Sequence, residues 1–120
     1  YKDELKAREK VAQMYTSALN DNFQVPVIKN KRSSAWAQYT IRVKDRVNFQ
    51  VKLNKAEIPT AIYYPVPLHL QECFKDLGYK LGDFQISEKA SNEVISLPMN
   101  AFLAESEIEY ILSQIQDIDY

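Results

Sequence analysis

Glycine is nearly missing from this chain, with only Gly78 and Gly82 in 120 residues. A loop that cradles phosphate needs glycines where the backbone must approach the ligand. This pair reads instead as the two sides of a turn. Histidine and cysteine are scarcer still, each present once, as His69 and Cys73. A zinc site or a hydrolytic triad requires several such side chains to converge, so neither chemistry is expected. A lone cysteine closes no internal disulfide, which suits a reducing compartment. Cys73 falls on the apolar side of a helical pattern, where a small buried thiol is the ordinary expectation. Long apolar runs are lacking, and the start of the chain is charged rather than basic and then apolar. Neither a membrane span nor a signal peptide is expected, and the expected location is cytoplasmic. Nor does either sign of charge dominate: 15 basic residues oppose 16 acidic ones, for a formal net charge of -1. There is no overall field to gather nucleic acid or an anionic membrane.

What remains is ordinary globular material, 46% hydrophobic and 26% charged, enough for one domain with its own core. Leu5, Val11, Ala12, Tyr15, Ala18 and Leu19 recur at helical spacing, and Asn20-Asp21-Asn22 supplies a stop, so a first helix is predicted over residues 2–19. That helix starts without an initiator Met or a capping residue ahead of it, as expected for a piece of a longer protein. Lys2-Asp3-Glu4-Leu5 spells a retention signal that is read only at a C-terminus, so it carries no meaning here. Residues 23–31, broken by Pro26, read as a short edge strand or loop.

From 35 to 43 the odd positions are Ala35, Ala37, Tyr39, Ile41 and Val43, while the even ones include Trp36, Gln38, Thr40 and Arg42. This alternation predicts a strand with its odd face in the core. It puts Trp36 outside, packed against a neighbouring domain or subunit, and leaves Arg42 as a solvated charge. Asp45 is an N-cap for a helix over about 46–56 carrying Phe49, Leu53 and Ala56. Leu70, Cys73, Phe74 and Leu77 fit one face of a short helix ended by Gly78. A further helix is predicted over 87–93, a strand over 94–97 stopped by Pro98, and a last helix on Ile108, Ile111, Leu112 and Ile115. Glu105 and Glu107 fall in that helix's first turn, and Asp117 and Asp119 in a polar tail; none is assigned catalysis. The predicted class is α/β (α+β), a small mixed or antiparallel sheet covered by helices.

The functional signal lies in residues 58–71, which hold Pro59, Pro65 and Pro67, Tyr63 and Tyr64, and the chain's one histidine. Prolines fix φ, so the side chains between them are ordered before a ligand arrives. If Tyr63 and Tyr64 are consecutive extended residues, one ring anchors in the core and the other presents its hydroxyl. His69 would then stand at a helix entrance, whose free N–H groups attract an anion such as phosphate. The same residues also fit a rigid connector, with half-buried tyrosines and a histidine bonded locally.

Taken together, Ser34-Ala35-Trp36-Ala37-Gln38-Tyr39-Thr40-Ile41, residues 58–71 and Val94-Ile95-Ser96-Leu97-Pro98-Met99 resemble the C-terminal small domain of DegT-type sugar aminotransferases. Order and spacing match over nearly the whole chain, and the first helix is similar to the one joining that family's two domains. The resemblance implies a homodimeric pyridoxal-phosphate enzyme of fold type I. Such an enzyme transfers an amino group, usually from glutamate, to a keto group of a nucleotide-linked sugar. It further implies that the cofactor and its lysine belong to a large N-terminal domain outside this chain, and that Tyr63, Tyr64 and His69 border the nucleotide-sugar pocket. The wording of residues 36–40 is similar to members acting on UDP-linked N-acetylated sugars for surface polysaccharide. Two departures stand out: Glu57 where the family usually has Gly, expected to alter the turn into the motif, and Gln85 where Pro commonly follows Asp83-Phe84, expected to loosen a loop. The alternative from another class is a freestanding binding or scaffold module.

Overall fold

The structure, a computed structural model, describes residues 1–118; Asp119 lies outside the described residues. Among the described residues four α-helices flank a two-stranded antiparallel sheet: α1 (Lys2–Leu19), β1 (Tyr39–Arg42), α2 (Arg46–Lys55), α3 (Gln85–Glu93), β2 (Val94–Leu97) and α4 (Glu105–Gln116). Among the described residues no helix is long and apolar enough to cross a membrane.

The first helix forms because Val11, Ala12, Tyr15 and Leu19 share one buried stripe, while Asp3 and Glu4 sit at the positive end of its dipole. α2 begins where expected: the Asp45 carboxylate accepts from the Asn48 N–H at 3.1 Å, and Phe49 and Leu53 turn inward. α4 buries Ile108, Ile111 and Ile115, and its Glu107 carboxylate reaches back to the Ala104 N–H at 2.7 Å.

β1 and β2 pair in the register Tyr39↔Leu97, Thr40↔Ser96, Ile41↔Ile95 and Arg42↔Val94. Tyr39 and Ile41 enter the core, whereas Thr40 and Ser96 join hydroxyls at 2.7 Å on the other face. The pair is widened by one bridge on each side, Gln24 against Arg42 and Ala61 against Ser96. Residues 23–31 therefore contribute one bridge rather than a strand. Arg46 donates from Nη1 to the carbonyls of Ser91 and Val94, tying the start of α2 to the end of α3.

Tyr15 and Tyr39 join α1 to the sheet. Their rings are 5.0 Å apart; the Tyr15 hydroxyl donates to the Pro98 carbonyl at 2.9 Å, and the Tyr39 hydroxyl bonds that of Thr16 at 2.8 Å. Burial raises both phenols above their ordinary value, the Thr16 bond partly opposing this at Tyr39, so each stays neutral.

Three expectations are corrected. The alternation holds from Tyr39 to Val43 but not upstream: Trp36 has φ 47° and turns its ring inward, 6% exposed, while Ala35 and Ala37 are exposed. Its indole N–H donates to Glu9, and the Arg8 guanidinium donates to its carbonyl at 3.1 Å, so Trp36 fastens the loop to α1 rather than facing another domain. Residues 70–77 do not form a helix with a buried side. They form two short 3-10 turns, Leu68–Leu70 and Glu72–Leu77, separated by an extended Gln71. Tight i to i+3 turns do not keep the 3.6-residue stripe, and no residue of either turn is buried. Cys73 is thus exposed rather than a core thiol. Gly78 does end the second turn, in the left-handed conformation at φ 78°.

Glu57 explains the first family departure. Exposed and directly after α2, it stands at φ 60°, the region glycine enters freely and a residue with a Cβ enters at about 1–2 kcal/mol. Glu57→Gly is expected to stabilise the fold by about 0.5–1 kcal/mol after the glycine's greater unfolded-state entropy is subtracted. The measurement is the urea midpoint at unchanged m; an unchanged or lower midpoint would show that this turn carries no strain.

Candidate functional site

Residues 58–71 leave the core through two fixed points. Ile58 is buried, and Ala61 exchanges both backbone hydrogen bonds with Ser96, at 3.2 and 2.8 Å. Between them Thr60 accepts from the Gln50 side chain at 3.2 Å, linking the segment to α2. Beyond Ala61 the backbone pairs with nothing in the sheet, and strand alternation ends there.

Tyr63 and Tyr64 are accordingly both outside the core, 44% and 67% exposed, with ring centroids 5.7 Å apart in an edge-to-face pair. The expected division into one anchored and one presented ring does not occur. The Tyr63–Tyr64 peptide bond is cis. Together with Val66, Pro67, Leu68 and Gln71 the two rings form one wall of a groove of about 510 Å³, whose opposite wall is Ser87, Ala90 and Ser91 of α3 and Val94 of β2. This wall is apolar with phenol hydroxyls and small hydroxyl side chains, a composition suited to a ligand with flat or apolar parts and several hydrogen-bonding groups.

His69 does not line that groove. It occupies the middle of the Leu68–Leu70 turn, too short to supply a helix dipole, so it does not stand at the anion-attracting helix entrance that was expected. Its side chain is 8% exposed, its Nε2 lies 2.9 Å from Glu88 Oε1, and its ring packs on Phe84 at 4.8 Å. Phe84 in turn meets Tyr79 at 5.1 Å. Tyr63 and Tyr64 are therefore brought together, while the imidazole is held a few residues away against the start of α3.

Glu88, to which the sequence reading gave no role, organises this corner. Besides His69 it accepts from the Gly82 N–H at 2.9 and 3.0 Å and from the Phe84 N–H at 3.2 Å. Its only sequence signal was an acidic residue in the first turn of a helix. Desolvation pushes its carboxyl up, but the Phe84 and Gly82 amides and the His69 ring outweigh that and hold it below the usual carboxylate range. Gln85 is the first residue of α3, where proline is well accommodated, so the second family departure falls at a helix start held by Glu88 rather than in a loose loop.

A second groove, about 490 Å³, lies apart from the motif near Asn22, Lys44, Asp45 and Lys89. Arg42 lines it and is paired with Glu93 at 3.5 Å, so it is a bound charge rather than a solvated one.

Because Glu88 is held low, its hydrogen bonds contribute stability above the unfolded carboxyl value of about 4.3 and lose it as pH falls through the folded value. Protection factors of the Gly82 and Phe84 amides are expected to fall together as pH drops through and below the ordinary glutamate range, while those of β1 and β2 hold. Protection at those two amides that is flat to the acid limit would contradict this.

Residues 1–116 match the model of the DegT/DnrJ/EryC1/StrS aminotransferase family. The chain is similar to the pleiotropic regulatory protein of Geobacillus stearothermophilus, 40% identical over 114 residues that cover 92% of this chain and 31% of that protein. It is 34% identical over 116 residues to the UDP-2-acetamido-2-deoxy-3-oxo-D-glucuronate aminotransferase of Pseudomonas aeruginosa, covering 96% of this chain and 32% of that one. Among solved structures, a DegT DnrJ EryC1 StrS aminotransferase from Brucella abortus superposes with a TM-score of 0.87 at 37% identity, over 95% of this chain and 31% of that one. The chain thus spans about a third of the length of the relatives it matches. On the match over residues 1–116, it belongs to the DegT/DnrJ/EryC1/StrS aminotransferase family.

Proposed function

We propose that this chain is the C-terminal small-domain portion of a pyridoxal-phosphate-dependent aminotransferase that moves an amino group, from glutamate, onto a keto group of a nucleotide-linked sugar. The observation that carries this reading is the tyrosine-walled groove, one wall of which comes from residues 58–71, within the residues 1–116 that match the family. Tyr63 and Tyr64 are the groups that would meet the nucleotide sugar in the groove, with His69 beside it. The name of the P. aeruginosa relative supports a UDP-linked N-acetylated sugar as the acceptor. A neighbouring role in polysaccharide assembly is supported by similarity to a spore coat polysaccharide biosynthesis protein of Bacillus subtilis, at 22% identity.

The cofactor does not fit these residues. The groove offers no lysine to bond pyridoxal phosphate and no cation to meet its phosphate. The cofactor is assigned instead to the part of the protein that this chain does not span, and what these residues contribute is the binding and orientation of the sugar substrate.

The segment between Tyr63 and Ile86 also exposes the large apolar side chains of Leu68, Leu77, Leu81 and Phe84. In the intact protein we assign its cover to the cofactor domain and to a second subunit of a homodimer. In the alternative reading, a regulatory or scaffold module as the name of the G. stearothermophilus relative suggests, the same lobe would dock another protein.

The test is His69→Ala in the intact protein, with the two half-reactions measured separately. Loss of one hydrogen bond to a charged group corresponds to about a tenfold or greater rise in KM for the nucleotide sugar, with glutamate use unchanged. Equal loss in both half-reactions, or none in either, would overturn the assignment, and absence of any transamination would favour the scaffold reading.

A further inference from the structure

The two nitrogens of His69 are in unlike situations. Nε2 is committed to Glu88 at 2.9 Å, and a carboxylate can only accept, so the proton of that bond belongs to Nε2. Every fully enclosed side-chain nitrogen or oxygen among the described residues has a hydrogen-bond partner, yet Nδ1 has none among them. Nδ1 therefore reaches solvent, although the side chain as a whole is only 8% exposed. The ring is clamped on one face by Phe84 and at one end by Glu88, and Glu88 is itself fixed by the amides of Gly82 and Phe84. The ring is therefore held in place and keeps a single open nitrogen.

We propose that Glu88 is a positioning residue for substrate binding: it locks His69 in one orientation and one tautomer, so that Nδ1 is the one imidazole nitrogen left open to the nucleotide sugar. This rests on the reading of His69 as a substrate-side group. In the neutral ring Nδ1 is then an acceptor for a hydroxyl or amide proton of the ligand, and in the imidazolium, whose charge Glu88 balances, it is a donor to an anionic oxygen. Without Glu88 the neutral ring is free to exchange tautomers and to rotate, and the ligand must select one arrangement out of several, which weakens binding without altering the reacting atoms.

The experiment uses the intact protein with nitrogen-15-labelled histidine, the His69 signals being assigned by their loss in His69→Gln. At mildly alkaline pH the wild type is expected to show the Nε2–H tautomer alone, and Glu88→Ala a mixture. In the same preparations Glu88→Ala is expected to raise KM for the nucleotide sugar about tenfold with kcat nearly unchanged, and Glu88→Gln, which keeps an accepting oxygen, to recover part of it. Lys89→Gly weakens α3 through helix propensity and an exposed pair with Glu93 while touching neither His69 nor Glu88, and is the control for a merely structural effect, expected to change neither the tautomer nor KM. A wild-type ring carrying its proton on Nδ1 overturns the proposal. So does Glu88→Ala with unchanged KM in a protein where His69→Ala raises it, or Lys89→Gly reproducing the Glu88→Ala pattern. If His69→Ala leaves nucleotide-sugar KM unchanged, it is the substrate-side reading that fails, and with it the binding role of Glu88; the tautomer result then reports only whether Glu88 sets the ring.

Discussion

The pairing of Ala61 with Ser96 is the constraint on which the candidate site depends. A two-stranded sheet has two open edges, and a single bridge on this one is enough to fix where residues 58–71 leave the core and in what direction. The bridge works because β2 is already held from its other side by four residues of β1 and backed by Ile95 and Leu97 in the core. Thr60 to Gln50 and the buried Ile58 secure the approach, so the tyrosines project from an anchored base rather than from a loose loop. Proline rigidity then matters only beyond the bridge, where no sheet bond remains.

The molecule is built in two tiers. Around the sheet, α1, α2 and α4 enclose tyrosine, phenylalanine, isoleucine and leucine side chains almost completely, and the polar atoms among them are bonded. The lobe from the tyrosine pair to the start of α3 has no such interior. Its order comes from local devices: two 3-10 turns, a left-handed glycine, three aromatic contacts and the carboxylate of Glu88. Local polar bonds and ring contacts, rather than a buried interior, hold that lobe, so its geometry is more readily changed than that of the core.

That division also explains what could be read in the sequence. Where burial imposes a period, the residues announced the structure: the α1 stripe, the Asp45 cap, the Val94 to Leu97 strand and the α4 isoleucines all stand where periodicity and capping chemistry put them. The expected fold class, a small mixed or antiparallel sheet covered by helices, follows from the same signals, and the pairing found is antiparallel. Where backbone conformation departs from a regular period, the sequence was silent or misleading. One residue with positive φ reversed the facing of Trp36, and a change from 3.6 to 3 residues per turn moved Cys73 from an imagined core to the surface. The tyrosine motif was legible as a stiff aromatic segment. Its division into a groove wall and a separately anchored imidazole was not, because the anchor, Glu88, is nineteen positions from His69 and local patterns carry no information at that range.

Trp36 has one more consequence. It is the chain's only indole, enclosed between α1 and the first strand and bonded to a helix carboxylate. Its ultraviolet emission is a native reporter of that seam: blue while the amino-terminal helix stays seated, and moved to the red, free of background from any other indole of this chain, when the helix swings away and water reaches the ring.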